Sequence, residues 1–201
     1  MIAKTALTLA MLSASAFLAS AHAAVEPGQQ APDFSLRDLA GNSAGLAQFK
    51  GRTVVLEWNN PNCPYVQKHY GSGNMQGLQQ AAQGKTVWLA INSTSPASGD
   101  FMSAEALKKW VAEHKSAPTH YLLDPDGSVG RLYGAKTTPH MYVINPQGRV
   151  VYAGAIDDKR STNPADIPGA TNYVRTALGA LAKGEPVRNA NTQPYGCSVK
   201  Y

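Results

Sequence analysis

Three side chains in this sequence have types and settings suited to proton or sulfur chemistry: Cys63, Glu57 and Cys197. Cys63 follows the polar turn Asn59-Asn60-Pro61-Asn62 and directly precedes Pro64. Proline is tolerated in the first turn of a helix, where its missing N–H would have no partner anyway. A thiol placed there faces free backbone N–H groups and the positive end of the helix dipole. Both stabilise the thiolate over the thiol and raise its nucleophilicity at neutral pH. The alternative is an inert, buried structural cysteine; the Asn/Pro turn argues against burial. Glu57 lies within the apolar run Val54–Trp58, where a carboxylate is costly unless partnered. Desolvation there would raise its pKa and let it take or give a proton. The alternative is a strand face that meets solvent or a lysine.

Cys197 is the second of two cysteines. In an oxidising compartment one intramolecular pairing is open to the chain, Cys63 with Cys197, which would pin the C-terminal tail against the Cys63 turn. Cys197 would then be either a resolving thiol or a plain staple of the tail.

The elements that must position these groups are readable in order. Residues 1–24 read as a secretory signal peptide: Lys4 is a minimal positive region, Ala6–Ala19 is apolar or small, and Ala21-His22-Ala23 is a small-x-small cleavage site. The apolar run is short for a spanning helix. Without Lys4 the net charge is about +4, scattered along the chain, which excludes a clustered nucleic-acid surface. Asp33–Leu36 alternates like a half-buried strand before the turn Asp38–Asn42. Val54–Trp58 and Thr86–Asn92 have the composition of strands covered on both faces. A helix begins after Cys63 and is interrupted at Gly71-Ser72-Gly73, resuming over Met75–Gln83. Ser103 opens a helix running through His114. A short strand Tyr121–Leu123, a turn at Asp124–Gly127 and a short helix Ser128–Tyr133 follow. Met141–Ile144 and Val150–Tyr152 form a hairpin around Asn145–Gly148. Asp157–Gly169 reads as a surface loop, and Thr171–Lys183 as an amphipathic closing helix.

Strand, turn, Cys63-Pro64, helix, and later Thr138-Pro139 before another strand: this order resembles the thioredoxin superfamily. The branch it resembles is the redoxin/peroxiredoxin-like one, of the alkyl hydroperoxide reductase/thiol-specific antioxidant type. The segment APDFSL, continuing to Asp38 and Gly41, is similar to the opening of many redoxins. The resemblance covers roughly 31–183. It implies an α/β fold, thioredoxin-like, with a central mixed sheet flanked by helices, an N-terminal hairpin and a redoxin-type helical insertion. The expected domains are a signal peptide over 1–24, a redoxin domain over 25–184 and a tail over 185–201 carrying Cys197.

By position, Cys63 falls on the nucleophilic first cysteine of the Cys-x-x-Cys motif, Val66 where the second should be, and Glu57 on the buried acid. The resemblance further implies a cis Thr138–Pro139 bond beside the thiol, with the Thr138 backbone exposed to pair with an extended substrate. Pro64, Thr138 and Pro139 are the expected substrate-binding residues. Peroxiredoxins carry a Pro-x-x-x-Thr/Ser-x-x-Cys loop and an arginine. Here Leu56 and Asn60 stand at the loop positions, and Arg131 or Arg149 is the candidate cation. A copper site would need ligand spacing that His69, His114, His120 and His140 do not supply; His140, beside Pro139, is the one expected to approach Cys63.

The sequence thus points to an exported thiol-based oxidoreductase, for disulfide exchange or peroxide reduction, needing no cofactor and no metal. Its partners would be a protein or small-molecule thiol, disulfide or peroxide and an unidentified reductant, with no nucleic acid and no membrane span once the signal is removed. The alternative is a non-catalytic thioredoxin-fold binding module with a structural Cys63–Cys197 disulfide, or a copper-handling protein.

Overall fold

The structure, a computed structural model, describes residues 24–201. Residues 1–23, and with them nearly all of the expected signal peptide, lie outside the described residues. Among those described, no helix is long and apolar enough to cross a membrane.

Seven strands form one mixed sheet in the order β2-β1-β5-β4-β3-β7-β8. They are β1 (Ser35–Asp38), β2 (Ser43–Gly45), β3 (Thr53–Trp58), β4 (Thr86–Asn92), β5 (His120–Leu123), β7 (His140–Ile144) and β8 (Val150–Gly154). β3 lies between β4, parallel to it, and β7, antiparallel to it. Every residue from Val54 to Trp58 is buried, as β-branched and aromatic residues in a doubly covered strand require.

Strand alternation divides the core. Val54, Leu56 and Trp58 face one side with Val129, Tyr133 and Tyr142; Val55 faces the other with Cys63, Val66, Leu107, Trp110 and Val174. The second side carries helices α1 (Pro64–Gly71), α2 (Asn74–Ala82), α3 (Ala104–Glu113) and α5 (Tyr173–Lys183), and the first carries the short helix α4 (Ser128–Tyr133). α3, capped by the Ser103 hydroxyl accepting from the Ala106 N–H, lies between β4 and β5 in the chain, as expected of a redoxin insertion.

The interruption expected after Cys63 is a full break. Ser72 closes α1, and Gly73 at φ +75° opens α2 in the left-handed region that favours glycine. The first strand is shifted by two residues from Asp33–Leu36, because the Asp33 carboxylate is occupied in a turn, accepting from the N–H groups of Phe34 and Ala47. The tail also differs from a free end. A pair of two-residue strands, β6 (Thr137–Thr138) and β9 (Cys197–Ser198), lies apart from the main sheet and pairs antiparallel.

Candidate active site

Cys63 is the N-cap of α1 in extended backbone geometry, with Pro64 at the first helical position. Its N–H donates to the Asn60 carbonyl (3.0 Å), and its own carbonyl accepts from the Gln67 N–H. The turn is tied down around it. Asn60 Oδ1 accepts from the Asn62 N–H (2.9 Å), and the Asn60 amide donates to Thr94 Oγ1 (3.4 Å). Asn59 and Asn60 are therefore buried structural groups, while Asn62 stays on the solvent side of the turn. Cys63 itself is 2% exposed, against the expectation of an open thiol. What covers it is the tail.

The Thr138–Pro139 peptide bond is cis. Cys63 Sγ donates to the Thr138 carbonyl oxygen at 3.0 Å, which joins the two regions expected to meet. The Thr138 backbone, expected to lie exposed, is instead paired: Thr138 stands opposite Cys197 and Thr137 opposite Ser198. Cys197 consequently lies beside the Cys63 thiol, and both are free thiols here. Burial, reinforced by the hydrogen bond and charge of Cys63, pushes the Cys197 thiol up to about 12. Pro139 is buried beneath this pairing, whereas Pro64 is exposed on the helix.

Glu57 is fully buried, which excludes a strand face meeting solvent or a lysine. Both carboxylate oxygens are used. Oε1 accepts from Asn59 Nδ2 and Tyr70 Oη (each 2.8 Å), and Oε2 accepts from Trp88 Nε1 (2.7 Å) and Gln79 Nε2 (3.4 Å). Burial raises its pKa more than these four donors lower it. It lies two residues from Val55 along β3, on the face that carries Cys63. The four donors were not legible as a set. They come from four separate segments: the turn after β3 (Asn59), α1 (Tyr70), α2 (Gln79) and β4 (Trp88).

A second buried polar cluster was also missed. Asp157, expected in a surface loop, is 2% exposed and accepts from the Tyr195 hydroxyl. His69 Nε2 lies 3.9 Å from Asp157 Oδ2, and its Nδ1 pairs with the Asn74 amide (2.8 Å). Burial depresses His69 to about 4, so it is neutral over most of the physiological range. Tyr195 is thereby fixed two residues before Cys197.

His140 does not approach the thiol. Its ring stands beside Tyr142 (centroids 4.8 Å), on the sheet face opposite Cys63, and its Nδ1 accepts from the Lys136 N–H. The candidate peroxide cations are engaged elsewhere. Arg149 donates to the Gly28 carbonyl, and Arg131 donates to the Asp126 carbonyl and lies 4.5 Å from the Tyr201 ring. Among the described residues, no three His, Cys, Asp or Glu side chains form a set that could hold a metal ion.

A match to the AhpC/TSA family spans residues 27–153, from the turn before β1 to the end of β8. The chain belongs to the AhpC/TSA family. It is 27% identical over 148 residues to the thioredoxin-like protein YneN of Bacillus subtilis (71% of this chain, 81% of that one). It is 28% identical over 134 residues to the thiol-disulfide oxidoreductase ResA of Bacillus thuringiensis (63% of this chain, 68% of that one). A solved structure of a hypothetical protein from Sinorhizobium meliloti 1021 superposes with a TM-score of 0.74 at 27% identity, covering 89% of this chain and 96% of that one. Solved thioredoxin domains share the fold. As a member of this family, the chain stands among the thiol-based oxidoreductases.

Proposed function

We propose that this protein is an exported thiol-disulfide oxidoreductase in which Cys63 attacks and Cys197 resolves. The observation that carries the reading is the meeting of both sulfurs at Thr138: Cys63 Sγ bonds its carbonyl, and Cys197 is its strand partner. The Cys63 thiolate attacks one sulfur of a substrate disulfide, forming a mixed disulfide and releasing the other substrate sulfur as a thiolate, which takes up a proton. Cys197, once deprotonated, attacks Cys63 Sγ. The Cys63–Cys197 bond forms, and the second substrate thiolate leaves and is protonated. The substrate gains two electrons and two protons, both supplied by the protein dithiol, which an external dithiol must then restore.

Glu57, on the thiol's sheet face and with its pKa raised by burial, is the proton relay in this scheme. Thr138, Pro139 and Pro64 frame the substrate approach. Disulfide exchange is favoured over peroxide reduction because Arg131 and Arg149 are both engaged away from the thiol. Export accounts for the leader-like residues 1–24, and the domain limits 25–184 and 185–201 separate the catalytic fold from the strand-forming tail.

The test is a trap. A Cys197→Ser variant incubated with a disulfide-bonded peptide should hold one peptide on Cys63 by intact mass. That adduct should live at least about 100-fold longer than in the wild type, because the intramolecular thiol has lost its proximity advantage. A Cys197→Ser variant that forms no adduct, or clears it as fast as the wild type, would overturn the assignment.

A further inference from the structure

We infer that residues 195–201 form a strap that occupies the substrate-pairing edge at Thr138, and that it must leave before a substrate can enter. This rests on the oxidoreductase reading but concerns access to Cys63 rather than the chemistry there. Three independent sets of contacts hold the strap closed. At its start, the Tyr195 hydroxyl donates to buried Asp157, and its ring packs edge-on to Tyr65 at 5.7 Å. In the middle, β9 fills the edge of β6. At its end, the Val199 N–H donates to the Lys136 carbonyl, the Lys200 carbonyl accepts from the Ser95 N–H (2.7 Å), and the Tyr201 hydroxyl donates to the Ala135 carbonyl (2.7 Å).

The fit depends on a glycine. Gly196 has φ +141°, and a Cβ there would lie 2.1 Å from the Thr138 carbonyl oxygen. That oxygen belongs to the backbone that also accepts from the Cys63 thiol, so it has no room to yield. Any other residue at 196 should therefore push the strap away from β6.

The strap thus has two consequences for the cycle. In the closed dithiol form it excludes an extended segment from the edge of β6 that Cys197 and Ser198 already hold. After Cys63 has captured a substrate sulfur, the returning strap brings Cys197 to the mixed disulfide and takes back the edge that the substrate used. Resolution and product release become one event, and substrate and tail compete for the same backbone.

Iodoacetamide alkylation of Cys63 tests this without requiring turnover. The background is Cys197→Ser, which leaves Cys63 as the one cysteine in the chain. The rate of alkylation scales with the fraction of molecules whose strap is open. Adding Gly196→Ala should raise that rate at least about tenfold, and adding Tyr195→Phe, which removes the bond to Asp157, should raise it several-fold. Thermal transitions of all three proteins establish that each is folded, and Tyr195→Phe carries the test if Gly196→Ala does not fold. Equal rates within about twofold in the folded variants would overturn the strap. A wild type that reduces no disulfide, with alkylation still responding to Gly196→Ala, would overturn the oxidoreductase reading and leave the strap standing.

Discussion

Replacing Cys63 with serine should reduce disulfide-reducing activity at least about 1000-fold, to the level of the uncatalysed exchange. The whole of the proposed cycle passes through that sulfur, which would make the first bond to substrate and then be the atom that the resolving thiol attacks. Cys197 does not stand at a helix start, and burial pushes its thiol up, so it is a poor replacement nucleophile. The fold should survive. Serine at the N-cap of α1 is a favoured residue, and its hydroxyl retains a donor for the Thr138 carbonyl, so the stability cost should be about 1 kcal/mol or less. Reduction of a peptide disulfide by a defined dithiol, followed for wild type and Cys63→Ser, reads the effect. Retention of activity in a folded variant would remove Cys63 from the mechanism.

The second large effect is expected at Glu57. Glu57→Ala leaves the donors of Asn59, Tyr70, Gln79 and Trp88 facing an empty, buried space. Each buried unsatisfied donor costs about 1–3 kcal/mol, and partial repairing among the four leaves an expected loss of roughly 3–5 kcal/mol. Glu57→Gln keeps the shape and separates the proton from the packing. Because burial raises the folded-state pKa of Glu57 above the ordinary carboxylate value, the folded state holds that proton more tightly than the unfolded chain does. The associated stabilisation is complete below the unfolded carboxylate range and is lost as pH rises through the raised folded value. Glutamine has no such proton. Wild-type stability relative to Glu57→Gln should therefore fall across that interval, read from denaturant midpoints at a series of pH values. As the proton relay, Glu57 should also give one limb of the pH–rate profile, and Glu57→Gln should lack it. A stability difference that does not change with pH, or an unchanged rate profile, would leave Glu57 a structural hub only.

Much of this arrangement was legible in the residues. The β-branched run of β3, the Cys63-Pro64 junction, the glycine break at 71–73 and the Ser103 cap are local signals, and each defines an element within a residue or two. The residues around Glu57 left two readings open, a buried carboxylate or a strand face meeting solvent, and its burial was decided by packing from other elements. Legibility ended where function depends on contacts between distant segments. Whether the turn after β3 is open depends on segments far away in sequence, so the polarity of Asn59 and Asn60 pointed to solvent when both are in fact buried and bonded to Tyr121 and Thr94. Asp157 reads as a loop residue because nothing local shows that Tyr195 will bury it. His140 is adjacent to Pro139 in sequence, but strand alternation turns its ring to the opposite face. Gly196 looks like one more flexible position; its importance is a close approach to Thr138 that only three-dimensional packing reveals.

The central claim is that Cys63 and Cys197 form a working redox couple rather than a staple. Its most direct test is the reduction potential of the Cys63–Cys197 disulfide in the protein, after peptide mapping has confirmed the bond. A catalytic couple should fall within roughly −120 to −270 mV, the span of known catalytic dithiols. A value below about −300 mV is that of a structural disulfide, and would contradict the account by making the tail a permanent fastening.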